Sequence, residues 1–187
     1  MEMSGELSAS AGLAVNTAKR YPLLIILAHW LIAAGIAANL VSGWLLDDAT
    51  ELLDLHRSIG VLVLAFSALR LFCRFAYRSK IPASVNAPAS LQYRVEKLVH
   101  TLLYAGMVLV PLLGWLKTNA AGHVLVLFDT VELPVLLEKN RALSSLFGEA
   151  HSISAYLLAM LIGLHIAGGV AHFMMEKRNV IKRMLPF

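Results

Sequence analysis

The residues of this chain that can do chemistry inside an apolar setting are its seven histidines, and two of them set the terms for the rest. His151 and His165 stand fourteen residues apart within a stretch that carries no charged residue from Ala150 to Met175. In a helix, fourteen residues rise about 21 Å and make almost a whole number of turns, so both imidazoles share one face near opposite surfaces of a roughly 30 Å hydrocarbon layer. A neutral imidazole is a metal ligand, and ionisable groups inside membrane spans are functional by default. The spacing predicts two ligand stations, one above the other, and two stacked haems to occupy them. His172 continues the stripe seven residues further on, at the level of the inner headgroups.

A bis-histidine haem needs two imidazoles facing each other at one depth, so partners must come from other helices. Four apolar spans are predicted. The first runs from Tyr21 to Trp44, with Pro22 in its first turn and His29 about two turns inside; Gly43 lies fourteen residues from His29, where a missing side chain leaves room for a flat cofactor. The second, Leu55 to Tyr77, is uncharged only from Ser58 to Leu69, and Arg70 and Arg74 belong to it if they snorkel or meet buried anions. His56 opens it, Gly60 is one turn deeper, and Arg70 shares the face of His56 at the inner level. Span three, Val95 to Leu116, holds His100 near its start, Gly114 near its end and Pro111 as an expected kink. Span four is the one that bears His151 and His165. Between spans three and four, Thr118 to Gly148 is the longest connection, and the alternation of His123 to Leu137 reads as a short surface helix or an extended cap. Pro82 and Pro88 mark the loop between spans two and three.

Composition agrees with this layout. At 58% hydrophobic and 15% charged residues, with a mean hydropathy of +0.70, the 187-residue chain has the profile of one all-α, integral membrane four-helix domain. Its net charge of +4 and pI near 9.4 arise from short basic clusters between apolar spans, which points to lipid headgroups and away from nucleic acid. Residues 1–18, rich in Ser, Ala and Gly, read as a mobile tail and not as a signal peptide, leaving residues 19–187 as the haem-binding domain. With both termini inside, twelve of the sixteen basic residues are cytoplasmic, and only Arg57, Lys117, Lys139 and Arg141 are outside. The single cysteine, Cys73, rules out a Cys-x-x-Cys-His covalent haem attachment.

Depth sorts the histidines. His56 and His151 form the outer pair; at the inner level His165 has both His29 and His100 available, and spacing does not choose between them. A lone histidine in a membrane helix is more often a packing residue, a reading open for His100 beside contact with a propionate or water; His123 reads as an ordinary loop residue. Arg70 suits the carboxylates of an inner haem because a guanidinium binds a carboxylate bidentately, and Arg57 does the same for an outer one. Gly35, Gly60, Gly114 and Gly169 read as clearances for a cofactor or for close helix packing.

The ordered set His29-Trp30, His56 with Gly60, Arg70 with Arg74, His100 with Tyr104, then His151, His165 and His172, and finally Arg183-Met184-Leu185-Pro186 resembles the bacterial di-haem cytochrome b561 family, related to the cytochrome b subunits of membrane hydrogenases and formate dehydrogenases. The resemblance implies that His29, His56, His151 and His165 ligate two b-type haem irons and that His100 is a haem neighbour. It also implies a bacterial inner-membrane protein that exchanges electrons with ubiquinone, and it includes enzymes that oxidise superoxide. Filled axial positions suit electron transfer over oxygen binding, and no Gly-x-Gly-x-x-Gly fingerprint supplies a flavin or nicotinamide site. Two functions follow as expectations: a quinone-linked oxidoreductase acting on superoxide or another small partner, with His172 a proton carrier for quinone, or a haem-bearing anchor for a soluble dehydrogenase or hydrogenase.

Overall fold

In the computed structural model the apolar runs form four long helices, α1 (Leu23–Leu45), α2 (Leu53–Ala76), α3 (Leu91–Ala120) and α4 (Arg141–Met175). The structure describes residues 20–46, 49–84, 86–88, 90–175 and 181–185. The N-terminal tail, Lys19, Asp47, Asp48, Glu176 to Arg178 and Pro186 lie outside the described residues. All four helices are long and apolar enough to cross a membrane. The chain is a multi-pass membrane protein.

Hydropathy marked where each helix meets hydrocarbon, and the helices run on past it. At 30 and 35 residues, α3 and α4 rise about 45 and 52 Å, well beyond a roughly 30 Å layer. Local caps set their true starts. Ser90 accepts the Tyr93 amide at 3.1 Å, and the Asn140 side chain accepts the Leu143 amide at 3.1 Å, each satisfying a donor with no intrahelical partner. Pro22 caps α1 from an extended conformation, one residue before the helix, instead of sitting inside its first turn. Pro111 lies within an unbroken α3, and both Arg70 and Arg74 belong to α2.

A seven-residue register organises the interior. Counting from His29, His56, His100 and His151, the residues seven further on are Ile36, Val63, Met107 and Leu158. These four, with Ile32 and Val110, form the buried core. Seven residues make nearly two turns, so each helix turns the same face inward at each level. The core is therefore an apolar plug midway between two polar levels. Glycine permits its tight packing: a Cβ on Gly35 would lie 2.8 Å from Val63 Cγ2, and one on Gly106 would lie 3.0 Å from Leu158 Cδ1. Gly35 is a helix-packing residue, the second of the two roles the sequence left open for it.

The closest backbone approaches join α1 to α2, α2 to α3 and α3 to α4. Helix α4 packs mainly on α3, and its side chains meet α1 and α2 at the histidine levels. The α3–α4 connection is an extended cap, not a helix. Strands β1 (Val126–Leu127) and β2 (Val131–Glu132) pair antiparallel, through a turn with Phe128 and Asp129 at φ 46° and 55°. Two left-handed non-glycine residues are disfavoured by about 1 kcal/mol each. The turn is anchored where the Phe128 amide donates to the fully buried Ser58 hydroxyl at 2.9 Å. At the opposite end, the C-terminal turn Ile181–Met184 closes on α1: Trp30 Nε1 donates to the Met184 carbonyl at 2.7 Å and the Tyr21 amide to the Arg183 carbonyl at 3.3 Å.

Candidate haem site

The register brings the helix-borne histidines together at two levels. At one, His56 of α2 faces His151 of α4, with ring centroids 6.1 Å apart and planes at 74°. At the other, His29 of α1 faces His165 of α4 at 6.3 Å and 77°, while His100 of α3 stands 5.1 Å from the same His165. A metal–imidazole bond of about 2 Å, plus about 1 Å from nitrogen to ring centre, taken on both sides of one ion puts the centroids roughly 6 Å apart. His56 with His151 and His29 with His165 match that separation. His100, 5.1 Å from His165, lies about 1 Å inside that separation.

Hydrogen bonds to one ring nitrogen determine whether the other is free to ligate. His151 Nδ1 lies 2.9 Å from the Val110 carbonyl oxygen, which can only accept, so Nδ1 carries the proton and Nε2 keeps its lone pair. The Ser42 hydroxyl donates to the Asn39 carbonyl at 3.2 Å and therefore accepts from His56 Nδ1 at 3.0 Å, which leaves Nε2 of His56 bare as well. This level offers two lone pairs. His100 Nδ1 donates to the Glu96 carbonyl one turn earlier, at 2.8 Å. His29 differs, because its Nδ1 accepts from Arg70 Nη1 at 2.8 Å, and a guanidinium has only donors. That bond and ligation through Nε2 are alternatives for His29.

Arg70 also keeps a buried Nε without a partner, and it lies 5.6 Å from the Tyr104 ring, with Arg74 5.7 Å from the same ring. Two half-buried guanidiniums and a phenol beside His29 form a setting for carboxylates. At the other level Arg57 is neutralised by Asp54 at 3.0 Å, so a second carboxylate would have to compete for it. His172 is half-buried two turns beyond His165. His123 is an exposed loop residue.

The glycines divide by what they face. A Cβ on Gly114 would lie 3.2 Å from both Cε1 and Nδ1 of His151, and one on Gly43 would lie 3.2 Å from His56 Cε1. The space that the sequence assigned to a flat cofactor at these two positions accommodates an imidazole instead. A Cβ on Gly60 would lie 3.2 Å from the Asn39 amide nitrogen, whereas Gly169, one turn past His165, has no atom within 4 Å of that position. Ser42 and the Val110 carbonyl were not among the sequence candidates. Ser42 carried a signal, since it adjoins Gly43 at the depth of His56; a backbone carbonyl carries none.

At the His56–His151 level two imidazole lone pairs stand at the separation that one iron needs; at the His29–His165 level the separation is the same, and Arg70 with Arg74 offers cations for carboxylates where His29 gives up its bond to Arg70. A family model described as prokaryotic cytochrome b561 matches residues 20–187. The chain is 24% identical to cytochrome b561 homolog 2 of Escherichia coli (strain K12) over 177 residues, covering 91% of this chain and 93% of that protein. It is 25% identical to cytochrome b561 homolog 1 of the same organism over 165 residues, 84% and 92% of the two chains. A Yersinia pestis protein named probable superoxide oxidase CybB is 22% identical over 180 residues, 90% and 97% of the two chains. With its four membrane helices and two levels of paired histidines, the chain belongs to the prokaryotic cytochrome b561 family of b-type haem proteins, and is a multi-pass bacterial membrane protein.

Proposed function

We propose that the chain is a di-haem electron carrier of the bacterial inner membrane, with both termini cytoplasmic, that joins the ubiquinone pool to a small redox partner on the outer side. The observation that carries this reading is the pair of His–His levels at 6.1 and 6.3 Å, separated by an apolar plug. His56 and His151 hold the outer haem, His29 and His165 the inner one. When bound, each haem supplies a one-electron carrier whose two axial positions are filled, which disfavours oxygen binding. The protein's own groups orient the ligands: Ser42 and the Val110 carbonyl fix the outer imidazoles, and Arg70 with Arg74 meets the inner carboxylates. Residues 19–187 form this single haem-binding domain.

Superoxide is the outer substrate that we infer. The name of the Yersinia pestis relative supports it, as does the clustering of Lys117, Lys139 and Arg141 around one cavity at the His151 end. A few cations in a low-dielectric cleft outweigh a distant acidic field. The overall balance is that two superoxide ions each lose one electron and leave as O₂, while one quinone takes two electrons and two protons to become quinol. In this reading His172 carries protons for the quinone.

The haem-to-protein ratio of the purified protein tests the cofactor reading: two is expected, falling to one in His151→Ala. For the substrate, Lys117→Gln should slow reduction by superoxide and weaken its salt dependence while reduction by quinol is unchanged. Reduction by quinol with no superoxide-dependent reduction, together with a soluble dehydrogenase retained at fixed stoichiometry, would replace this function with that of a membrane anchor.

A further inference from the structure

One cavity lies outside both histidine levels. It occupies about 820 Å³ between the end of α3 and the start of α4. A two-atom anion is close in size to a water molecule, whose share of the liquid is about 30 Å³, so superoxide alone leaves most of it unfilled. Lys117, Lys139 and Arg141 line the cavity, together with the hydroxyls of Ser144 and Ser145. Among the described residues, none of these cations forms an ion pair; the one salt bridge is Arg57 with Asp54. Glu149 also lines the cavity, with Ser145 Oγ 3.5 Å from its carboxylate, so three positive charges face one negative.

The shape of the backbone holds one of the lysines. A Cβ on Gly122, where φ is +91°, would lie 2.8 Å from Lys139 Cδ, and one on Gly148 would lie 3.4 Å from Lys117 Cε. Gly122 thus leaves a berth for the Lys139 stem in a backbone conformation that other residues resist, whereas the Lys117 stem lies in ordinary contact distance of Gly148. Arg141, Ser144 and Ser145 belong to the first turns of α4, whose positive dipole end favours an anion. On the other side the lining reaches Ile153, 61% exposed. From there an exposed apolar stripe runs down α4 through Tyr156, Leu157, Met160 and Leu164 at helical spacing.

A polar, cationic head space continuous with an exposed apolar stripe describes an amphiphile. We propose that this cavity binds the phosphate headgroup of one anionic phospholipid, whose acyl chains lie along the Ile153–Leu164 face of α4. Each Lys or Arg near a membrane surface adds appreciably to anionic-lipid binding, and a headgroup without an ammonium leaves the cations their full attraction. A zwitterionic lipid would bring its own cation into the same cluster.

The test uses the full-length, haem-loaded protein in neutral detergent, titrated separately with dioleoylphosphatidylglycerol and dioleoylphosphatidylcholine, with bound lipid counted by native mass spectrometry. One phosphatidylglycerol per chain is expected, held about tenfold more tightly than phosphatidylcholine. The combined variant K117Q/K139Q/R141Q should bring phosphatidylglycerol down to the phosphatidylcholine level with haem content unchanged. Lys80→Gln, which removes a cation from the connection after α2, should leave lipid binding as it was. If the triple variant fails to fold, Arg141→Gln alone decides, with about twofold weaker retention expected. Equal retention of the two lipids, or undiminished retention by the cavity variants, overturns the proposal. So does displacement of the lipid by millimolar inorganic phosphate, which would make the cavity a free-anion site. None of these readouts depends on electron transfer, so failure of the lipid site leaves the di-haem reading intact; because Lys117, Lys139 and Arg141 also carry the superoxide reading, superoxide reduction is measured on lipid-free protein.

Discussion

Gly114 offers a direct way to test how His151 is positioned for the ligand role proposed for it. A Cβ there would sit 3.2 Å from Cε1 and 3.2 Å from Nδ1 of the imidazole, against an ordinary carbon contact of about 3.5–4.0 Å. In Gly114→Ala the ring must therefore yield by roughly 0.4 Å. The Nδ1 to Val110 carbonyl bond, 2.9 Å long, would stretch toward about 3.3 Å, beyond the useful range. Loss of a hydrogen bond that orients a metal ligand lowers metal affinity about 10- to 100-fold. Gly114→Ala should accordingly weaken the haem held by His56 and His151 about tenfold and shift its midpoint potential, with the second haem unaffected. In Gly114→Leu the ring has no room, and the haem-to-protein ratio should fall from two to one. Gly163→Leu is the matched control, because no atom lies within 4 Å of its Cβ position; it should keep both haems. Potentiometric titration followed in the visible bands, with haem extracted and quantified from the same samples, reads both quantities. Retention of two haems at unaltered potentials in Gly114→Leu would refute the assignment of that glycine as the berth of His151.

Three further outcomes are expected. His100→Ala should retain both haems while altering a spectrum or potential, and His29→Ala should lose one; the reverse pattern would make His100 the ligand opposite His165. Ser42→Ala removes the hydroxyl that accepts from Nδ1 of His56, so the same haem as in Gly114→Ala should weaken about tenfold, and an unchanged affinity would show that Ser42 does not orient the ring. Ser58→Ala removes the acceptor of the Phe128 amide, which should be destabilised locally by about 1–3 kcal/mol; hydrogen exchange at Phe128 should accelerate, and an unchanged rate would mean that the hairpin is held from elsewhere.

Much of this protein is legible in one dimension because a membrane simplifies the problem. Hydrocarbon forces each span to be a helix that satisfies its own backbone, so charge-free runs locate the four spans and helical spacing places His29, His56, His100, His151 and His165 by depth. Depth alone separated the outer pair from the inner three and put Arg70 at the inner level. Helix ends were less legible, since hydropathy reports where hydrocarbon stops, whereas α3 and α4 begin where Ser90 and Asn140 cap them. The extended cap over α2 was also open, because Phe128 and Asp129 adopt left-handed conformations that their residue types do not announce. Rotation and distance across the bundle belong to tertiary structure alone. Spacing along one helix gives no separation between two, so only packing makes His29 to His165 6.3 Å and His100 to His165 5.1 Å. For the same reason only packing gives the space at Gly43 and Gly114 to imidazoles, turns the Val110 carbonyl toward His151, and gathers Lys117, Lys139 and Arg141 around one cavity.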